Sequence, residues 1–478
     1  MQEKEKTAAK KAKIVDMASV KSVHFVGIGG CGMSAIAKIL FKKGYKISGS
    51  DIKESANTIR LREMGARIFI GHNKANIRGA DLTVFSSAIP QKNVEIEGSQ
   101  QTGIPIEKRA YMLSWIMDQF NVRIAVSGTH GKTTTTSMIS SVLKSCGKDP
   151  TFLIGGEAND VDGNARLGNS AYVVAEADES DGSFLTLHPN VAVITNIESD
   201  HMEYFGTFEK VVDSFLSFAK LVPADGTLIV GKNGKGTEAI LGENSRNNII
   251  TYGLAEGTDY WADQFKFNAR SARFIVHKGK IKLGEVSLSI PGKQNIENAL
   301  AAIAVADNLG CDFSSICNGL QSFSGAKRRF QILGEINNIL VIDDYGHHPT
   351  EVARTLESAR LGYPDKRIIC IFQPHRFTRT FHLFEEFGKA FQYADIVIIT
   401  DIYSAGEAPI EGISGRTIYD EVAKHNKNVI YVLKKEHITD QILEISKPND
   451  LIITMGAGDI SNSGKEIVNR LKICAGEK

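Results

Sequence analysis

Short apolar runs alternate along this chain with longer stretches of mixed polarity. Residues 22–27 (SVHFVG) read as a buried strand. A glycine turn follows, then a helical pattern over 34–43 and a second strand, 45–50, that ends at Asp51. Residues 66–70 and 81–86 are further strand-like runs. Strand, turn and helix recurring in this order predict a doubly wound, mostly parallel sheet.

The pattern restarts twice. Residues 122–127 (VRIAVS) run into a second glycine loop and a Thr/Ser-rich helix, with strands expected at 172–175, 191–197 and 227–230. A boundary is expected within 322–329. A third block opens at 339–343 (ILVID) and repeats the alternation at 367–372, 395–400, 428–433 and 450–454. The fold class is therefore α/β, with three sequential α/β domains: a Rossmann-like N-terminal domain, a central P-loop domain and a Rossmann-like C-terminal domain. The expected bounds are 1–20 for a disordered basic lead-in, then 21–121, 122–325 and 326–478.

Composition narrows the class of function. The 478 residues are 42% hydrophobic and 23% charged, as in ordinary soluble domains. Lys+Arg (56) and Asp+Glu (55) nearly cancel, so no global field draws the chain to nucleic acid or to an anionic membrane. The lead-in lacks the apolar core of a secretory signal, and no apolar run approaches the roughly 20 residues of a membrane span. Six scattered cysteines without a CxxC pair fit reduced cytosolic thiols. Together these predict a cytoplasmic protein, a monomer or weak homodimer, without nucleic-acid partner or membrane insertion.

Two glycine loops carry chemistry. Gly27-Ile28-Gly29-Gly30-Cys31-Gly32 fits G-x-G-x-x-G between a strand and a helix, with Asp51 closing the next strand. Glycines let main-chain amides approach a diphosphate at a helix N-terminus. A dinucleotide cofactor satisfies this need, and so does a nucleotide sugar. Cys31 reads as a small packed residue in that loop. The second loop, Ser127-Gly128-Thr129-His130-Gly131-Lys132-Thr133-Thr134, contains the Gly-Lys-Thr of a P-loop. There a lysine reaches the β- and γ-phosphates and a threonine hydroxyl ligates Mg²⁺. The standard leading glycine is replaced by Val126, and Gly128 heads a shortened loop.

Other segments supply polar groups at strand ends, where open α/β sheets bind ligands. Glu176-Ala177-Asp178-Glu179-Ser180-Asp181 follows an apolar strand, and Glu176 is the first choice for a direct Mg²⁺ ligand. Asn295 and Asn298 lie one turn apart on a helix, with amides suited to an adenine edge or to helix capping. Asp343-Asp344-Tyr345-Gly346-His347-His348-Pro349-Thr350 contains two histidines. A structural zinc is disfavoured there because no cysteine or third spaced histidine accompanies them. Gln373-Pro374-His375-Arg376-Phe377-Thr378-Arg379-Thr380 offers two arginines, whose planar forks bind carboxylates.

The shortened GTxGKT loop resembles that of the Mur ligase and folylpolyglutamate synthase family. Further segments resemble it in order along the chain: Thr195–His201, Asn295–Ala302, Lys327–Phe330, Tyr403–Glu407 and Met455–Asp459. The resemblance implies an ATP- and Mg²⁺-dependent ligase. It puts Gly128, Thr129, His130, Gly131, Lys132, Thr133, Thr134, Asn295, Asn298, Arg329 and Asp344 on ATP, with Arg329 at the phosphates and Asp344 at the ribose. It places Mg²⁺ on Thr133, Glu176 and His201, and catalysis on Lys132, Glu176, His201 and Arg329. Gly29, Gly30, Cys31, Gly32, Asp51, His72, Ser86, Ser87 and Ala88 match the part that binds the uridine sugar. The QPHR-x-[ST]-R-T segment resembles the alanine-adding branch. That branch implies UDP-N-acetylmuramate and L-alanine as substrates, an acyl phosphate intermediate, and an amino-acid site of Tyr345, His347, His348, His375, Arg376 and Arg379. Some relatives carry a carbamylated lysine after the histidine of the TN-x-x-x-DH motif; Lys210 is not assigned that role. The alternatives are a sister ligase that adds a murein tripeptide, an NAD-dependent oxidoreductase resting on the first loop, and a P-loop ATPase without ligase chemistry.

Overall fold

The structure is a computed structural model that describes residues 15–158, 163–243 and 248–476. Most of the expected lead-in, 1–14, lies outside the described residues. Its last residues form a turn at Asp16–Ser19 and bury Met17 and Val20. Two compact units form, 1–113 and 114–478.

The first unit holds a five-stranded parallel sheet. Its spatial order is Arg67–Ile70, Lys46–Asp51, Ser22–Val26, Leu82–Phe85 and Ile106–Lys108. The order reverses at the first strand, so a crevice opens beyond the carboxyl ends of Ser22–Val26 and Leu82–Phe85. The helix Cys31–Lys42 starts there behind Gly30 with no side-chain cap, leaving its first amides for a ligand.

The second unit has two sheets. The larger has ten strands around a parallel core. The strand Val122–Ser127 sits between Val191–Ile194 and Tyr172–Glu176. Ile124, Val126, Val193 and Ile229 bury one face of this core against Met138, Ile139 and Val142 of the helix Lys132–Ser145 and Ile296, Leu300 and Ile303 of Lys293–Asn308. Sequence reading did not anticipate its edges. The antiparallel strands Tyr260–Asn268, Ser271–Lys278 and Ile281–Leu288 extend one side, and Gly163–Arg166 pairs antiparallel with Thr151–Ala158 on the other. These are half-exposed, bulged strands with interspersed polar residues, so they lack the continuous apolar run of a parallel strand.

The smaller sheet has six strands, the first, Gln331–Ile336, antiparallel. Its central strands are apolar through their middles because both faces are covered, with charged residues confined to their ends. Ile342, Ile368, Cys370, Phe372 and Ile453 belong to one core, and Val341, Ile369, Ile371 and Ile452 to the other. Among the described residues, no helix is long and apolar enough to cross a membrane.

Candidate active site

The second glycine loop joins the strand Val122–Ser127 to the helix Lys132–Ser145. Gly131 takes φ +82°, a left-handed conformation that an L side chain resists, and no side chain caps the helix behind it. The first-turn amides thus remain available to phosphate oxygens. Asn196 holds the loop from outside: its Oδ1 accepts the His130 N–H at 2.8 Å and its Nδ2 donates to His130 O at 3.0 Å. Lys132 Nζ donates to Gly128 O at 2.6 Å and pairs with Glu179 Oε1 at 2.7 Å. Burial works against its charge, but Glu179, Asp178 and Glu176 outweigh it and hold the ammonium above its ordinary pKa.

The acids behind the loop fit a hard divalent cation. Glu176 Oε2 accepts from Thr133 Oγ1 at 2.9 Å and from Gly155 N at 2.8 Å. Glu179 Oε2 is buried without a hydrogen-bond partner, and His201 Nε2 lies 3.9 Å from Glu179 Oε1. A hydroxyl, carboxylates and an orphaned buried oxygen form the oxygen-rich donor set that Mg²⁺ favours. Lys210 is exposed, on the helix Phe208–Lys220.

A cleft opens beside the loop, lined by His130, Asn295, Asn298, Arg329, Asp344 and Glu351 among others. Asn298 Oδ1 accepts from Thr135 Oγ1 at 3.1 Å, and Asn295 Nδ2 caps Pro291 O at 2.6 Å. Arg329 lies over the Tyr345 ring and pairs with Glu351 at 3.3 Å. Its neighbour Arg328 also lies over the Tyr345 ring but is held by Asp343 and the carbonyls of Gly456 and Gly458. Asp344 accepts the amides of Phe330 and Gly346, each at 2.8 Å, so it orders the loops around it as well as lining the cleft.

Past Tyr345 the aromatic groups form a shelf. His347 meets Tyr345 edge-on, with His375 5.8 Å away, and His375 stacks on Tyr403 at 5.7 Å. Burial pushes His347 down to about 3; burial and the Arg379 and Arg376 charges push His375 down to about 3. Both rings are therefore neutral at physiological pH. Arg379 Nη2 pairs with Asp200 at 2.9 Å, while its Nε is buried without a partner. An unspent buried donor beside a paired one suits an incoming carboxylate. Arg376, at φ +71°, points to Glu203 at 2.8 Å. His348 lies apart from the shelf, its ring tilted against that of His130 with centroids 4.6 Å apart.

The seam between these parts of the second unit is polar. Arg379–Asp200, Arg376–Glu203, Arg354–Glu297 and Lys293–Glu357 bridge it at 2.6–2.9 Å. His130 sits in the seam, with Nδ1 3.3 Å from Glu351 and Nε2 3.4 Å from Glu198. Burial opposes its charge, but both carboxylates push its pKa up to about 9.

In the first unit, Gly29 N donates to Asp51 Oδ2 at 2.9 Å, so Asp51 shapes the first loop directly. Cys31 is exposed, which corrects its reading as a packed residue; it is the first residue of a helix, where side chains face solvent. Arg109 lies against Gly32 and brings a cation to that loop. His72 Nδ1 is 2.9 Å from Ser50 Oγ, and Ala88 N donates to Ser86 Oγ at 3.2 Å. Behind His72, buried Glu95 gathers His24, Ser50, Asn73 and Asn76.

Sequence reading named neither Arg109, Glu95, Glu198 nor Glu351 as a site residue. Glu351 alone left a signal: His348-Pro349-Thr350-Glu351 is a capping box at the start of the helix Pro349–Gly362.

Three family descriptions match the chain: "Mur ligase family, catalytic domain" over residues 22–121, "Mur ligase middle domain" over 126–306 and "Mur ligase, glutamate ligase domain" over 328–458. The chain is 46% identical to the UDP-N-acetylmuramate–L-alanine ligase of Pelotomaculum thermopropionicum over 455 residues, 95% of this chain and 98% of that one. It is 44% identical to the enzyme of that name from Geotalea daltonii, with the same coverage. A crystal structure of UDP-N-acetylmuramate-alanine ligase from Thermotoga maritima superposes with a TM-score of 0.82 at 32% identity, covering 95% of this chain and 99% of that one.

Proposed function

The chain belongs to the Mur ligase family, and we propose from this that it joins L-alanine to the lactyl carboxylate of UDP-N-acetylmuramate, converting ATP to ADP and phosphate. The chemistry supplies peptidoglycan precursors, and we place it in the cytoplasm. The observation that carries the reading is the cleft of the second unit. There a phosphate loop with a buried lysine meets a carboxylate-binding shelf across the Asp200–Arg379 pair.

A carboxylate reacts poorly with an amine because oxide is a poor leaving group. The sugar carboxylate attacks the γ-phosphorus, ADP leaves, and an acyl phosphate forms. The amine then attacks the carbonyl and phosphate departs. Lys132 leaves Glu179 for the phosphates as the triphosphate enters, and the loop amides hold the non-bridging oxygens. Arg329 supplies the opposing cation from the other side of the cleft. Thr133 and Glu176, with His201 and Glu179, are positioned to hold Mg²⁺, which when bound offsets repulsion between the carboxylate and the triphosphate. Arg379 and Arg376 take the carboxylate of alanine. The neutral rings of His347 and His375 present no positive charge to its amine.

Phosphate release in Mg²⁺, ATP and UDP-N-acetylmuramate tests the reading, with L-alanine, a murein tripeptide or no acceptor. Release that requires L-alanine is expected. Release only with the tripeptide would move the chain to the tripeptide-adding branch, and acceptor-independent release would make it an ATPase.

A further inference from the structure

Three ligand-type side chains converge in the seam beside the cleft assigned to ATP. Among the described residues, His130, Glu198 and His348 each offer one ligand atom, and these atoms lie within 4.8 Å of one another. They come from three segments: the phosphate loop, the loop after the strand Val191–Ile194, and the start of the helix Pro349–Gly362.

Their outer partners aim the lone pairs inward. His130 Nδ1 is 3.3 Å from Glu351 Oε1, a contact that puts the ring proton on Nδ1. Nε2 then faces Glu198 Oε2 at 3.4 Å, buried and without a hydrogen bond. His348 Nε2 is 3.3 Å from the Ser199 carbonyl, which needs a donor, so Nδ1 carries the lone pair, which accepts the Thr350 N–H at 3.3 Å. That Nδ1 lies 3.9 Å from the same Glu198 oxygen. Thr350 Oγ1 donates to that oxygen at 2.5 Å and fixes the carboxylate. The three side chains become ligands together when an ion displaces the His130 proton and the Thr350 N–H from the nitrogens that face Glu198.

We propose that His130, Glu198 and His348 form a second divalent-cation site, selective for a borderline ion, Zn²⁺ foremost, and distinct from the oxygen-rich Mg²⁺ site. Two imidazoles and one carboxylate are the protein ligands of many zinc centres that keep an open fourth position, whereas Mg²⁺ takes oxygen donors. With bonds of about 2.0–2.1 Å, tetrahedral donors sit roughly 3.3 Å apart. The His130–Glu198 separation of 3.4 Å already fits, and the His348–Glu198 separation of 3.9 Å closes by a small ring movement. The ion takes the place of a proton shared by His130 and Glu198. Once bound, it staples the phosphate loop to the helix Pro349–Gly362 and hinders the seam from opening.

The test is a Zn²⁺ titration of the full chain in excess Mg²⁺, read by competition with a chromophoric chelator, together with zinc-edge anomalous diffraction from soaked crystals. The expected result is a single equivalent bound with one anomalous peak among His130, Glu198 and His348. Glu198→Gln and His348→Gln should weaken binding by more than the roughly 10- to 100-fold typical of outer partners such as Glu351. Glu176→Gln should leave it in place. A peak at Glu176 and His201, or zinc held only by cysteines, would overturn the proposal. So would unchanged affinity in a Glu198→Gln protein whose melting curve matches the parent.

Discussion

The two glycine loops of this chain use one backbone device for different ends. Both follow an apolar parallel strand and open a helix that no side chain caps. At the first, the Asp51 carboxylate is engaged by the Gly29 amide, and a cation, Arg109, lies at Gly32. At the second, Lys132 is buried inside a ring of acids. A loop that only holds a diphosphate needs amides and a counter-charge. A loop that moves a phosphoryl group also needs a cation free to shift with the charge, and here Glu179 keeps that cation in reserve. Backbone geometry alone therefore does not separate binding from catalysis; the charges stored behind the loop do.

The largest test of this contrast is Lys132→Ala. Turnover should fall by about 10³-fold or more, while calorimetry finds UDP-N-acetylmuramate binding nearly unchanged. Leaving Glu179 buried and unpaired should also cost about 3–5 kcal/mol of stability in denaturant titration. Equal loss of nucleotide-sugar binding would show that the two loops are not separate. Next is Arg379→Lys, which keeps the charge and loses the fork. The KM for L-alanine should rise about 10- to 100-fold with the KM for ATP unmoved, read from steady-state kinetics. At the first loop, a Cβ on Gly29 would lie 2.8 Å from Asp51 Oδ2 and 3.0 Å from Ser55 Oγ. Gly29→Ala should weaken the nucleotide sugar by about tenfold and spare ATP binding, consistent with the roughly 1–3 kcal/mol of an overpacked site.

The smallest effect is one of pH. Burial opposes the Glu95 charge, but hydrogen bonds from His24, Ser50, Asn76 and the Asn73 amide outweigh it and bring its pKa down to about 2. A lowered carboxylate pKa stabilises the fold above the unfolded value of 4.5, and that contribution fades as pH falls toward about 2. The stability gap between the parent and Glu95→Gln, followed by urea denaturation, should therefore narrow over that interval. A gap that widened on acidification would mean that Glu95 is not charged in the fold.

The parallel cores were legible because strands buried on both faces carry unbroken apolar runs, as in 339–342 and 368–372. Both loops were legible because tight turns against a ligand demand glycine. The strands from Tyr260 to Leu288 were not, since bulged, half-exposed strands mix polar and apolar positions without a clean period. The His130–Glu198–His348 group was invisible for another reason. A structural zinc was disfavoured at Asp343–Thr350 for want of a cysteine or third spaced histidine, and only the fold brings His130 and Glu198, distant in sequence, beside His348. Glu95 stood in an ordinary polar helix, where nothing in its neighbours reveals burial.

The charged seam has one more consequence. An oily joint would gain free energy by staying shut, and product would leave slowly. Of the pairs across this one, Arg376–Glu203, Arg354–Glu297 and Lys293–Glu357 are partly exposed and exchange their partners for water at small net gain, so they add little to holding the joint shut, whereas the buried Asp200–Arg379 pair resists opening. Dissolved salt screens those exposed pairs and leaves the buried one largely untouched.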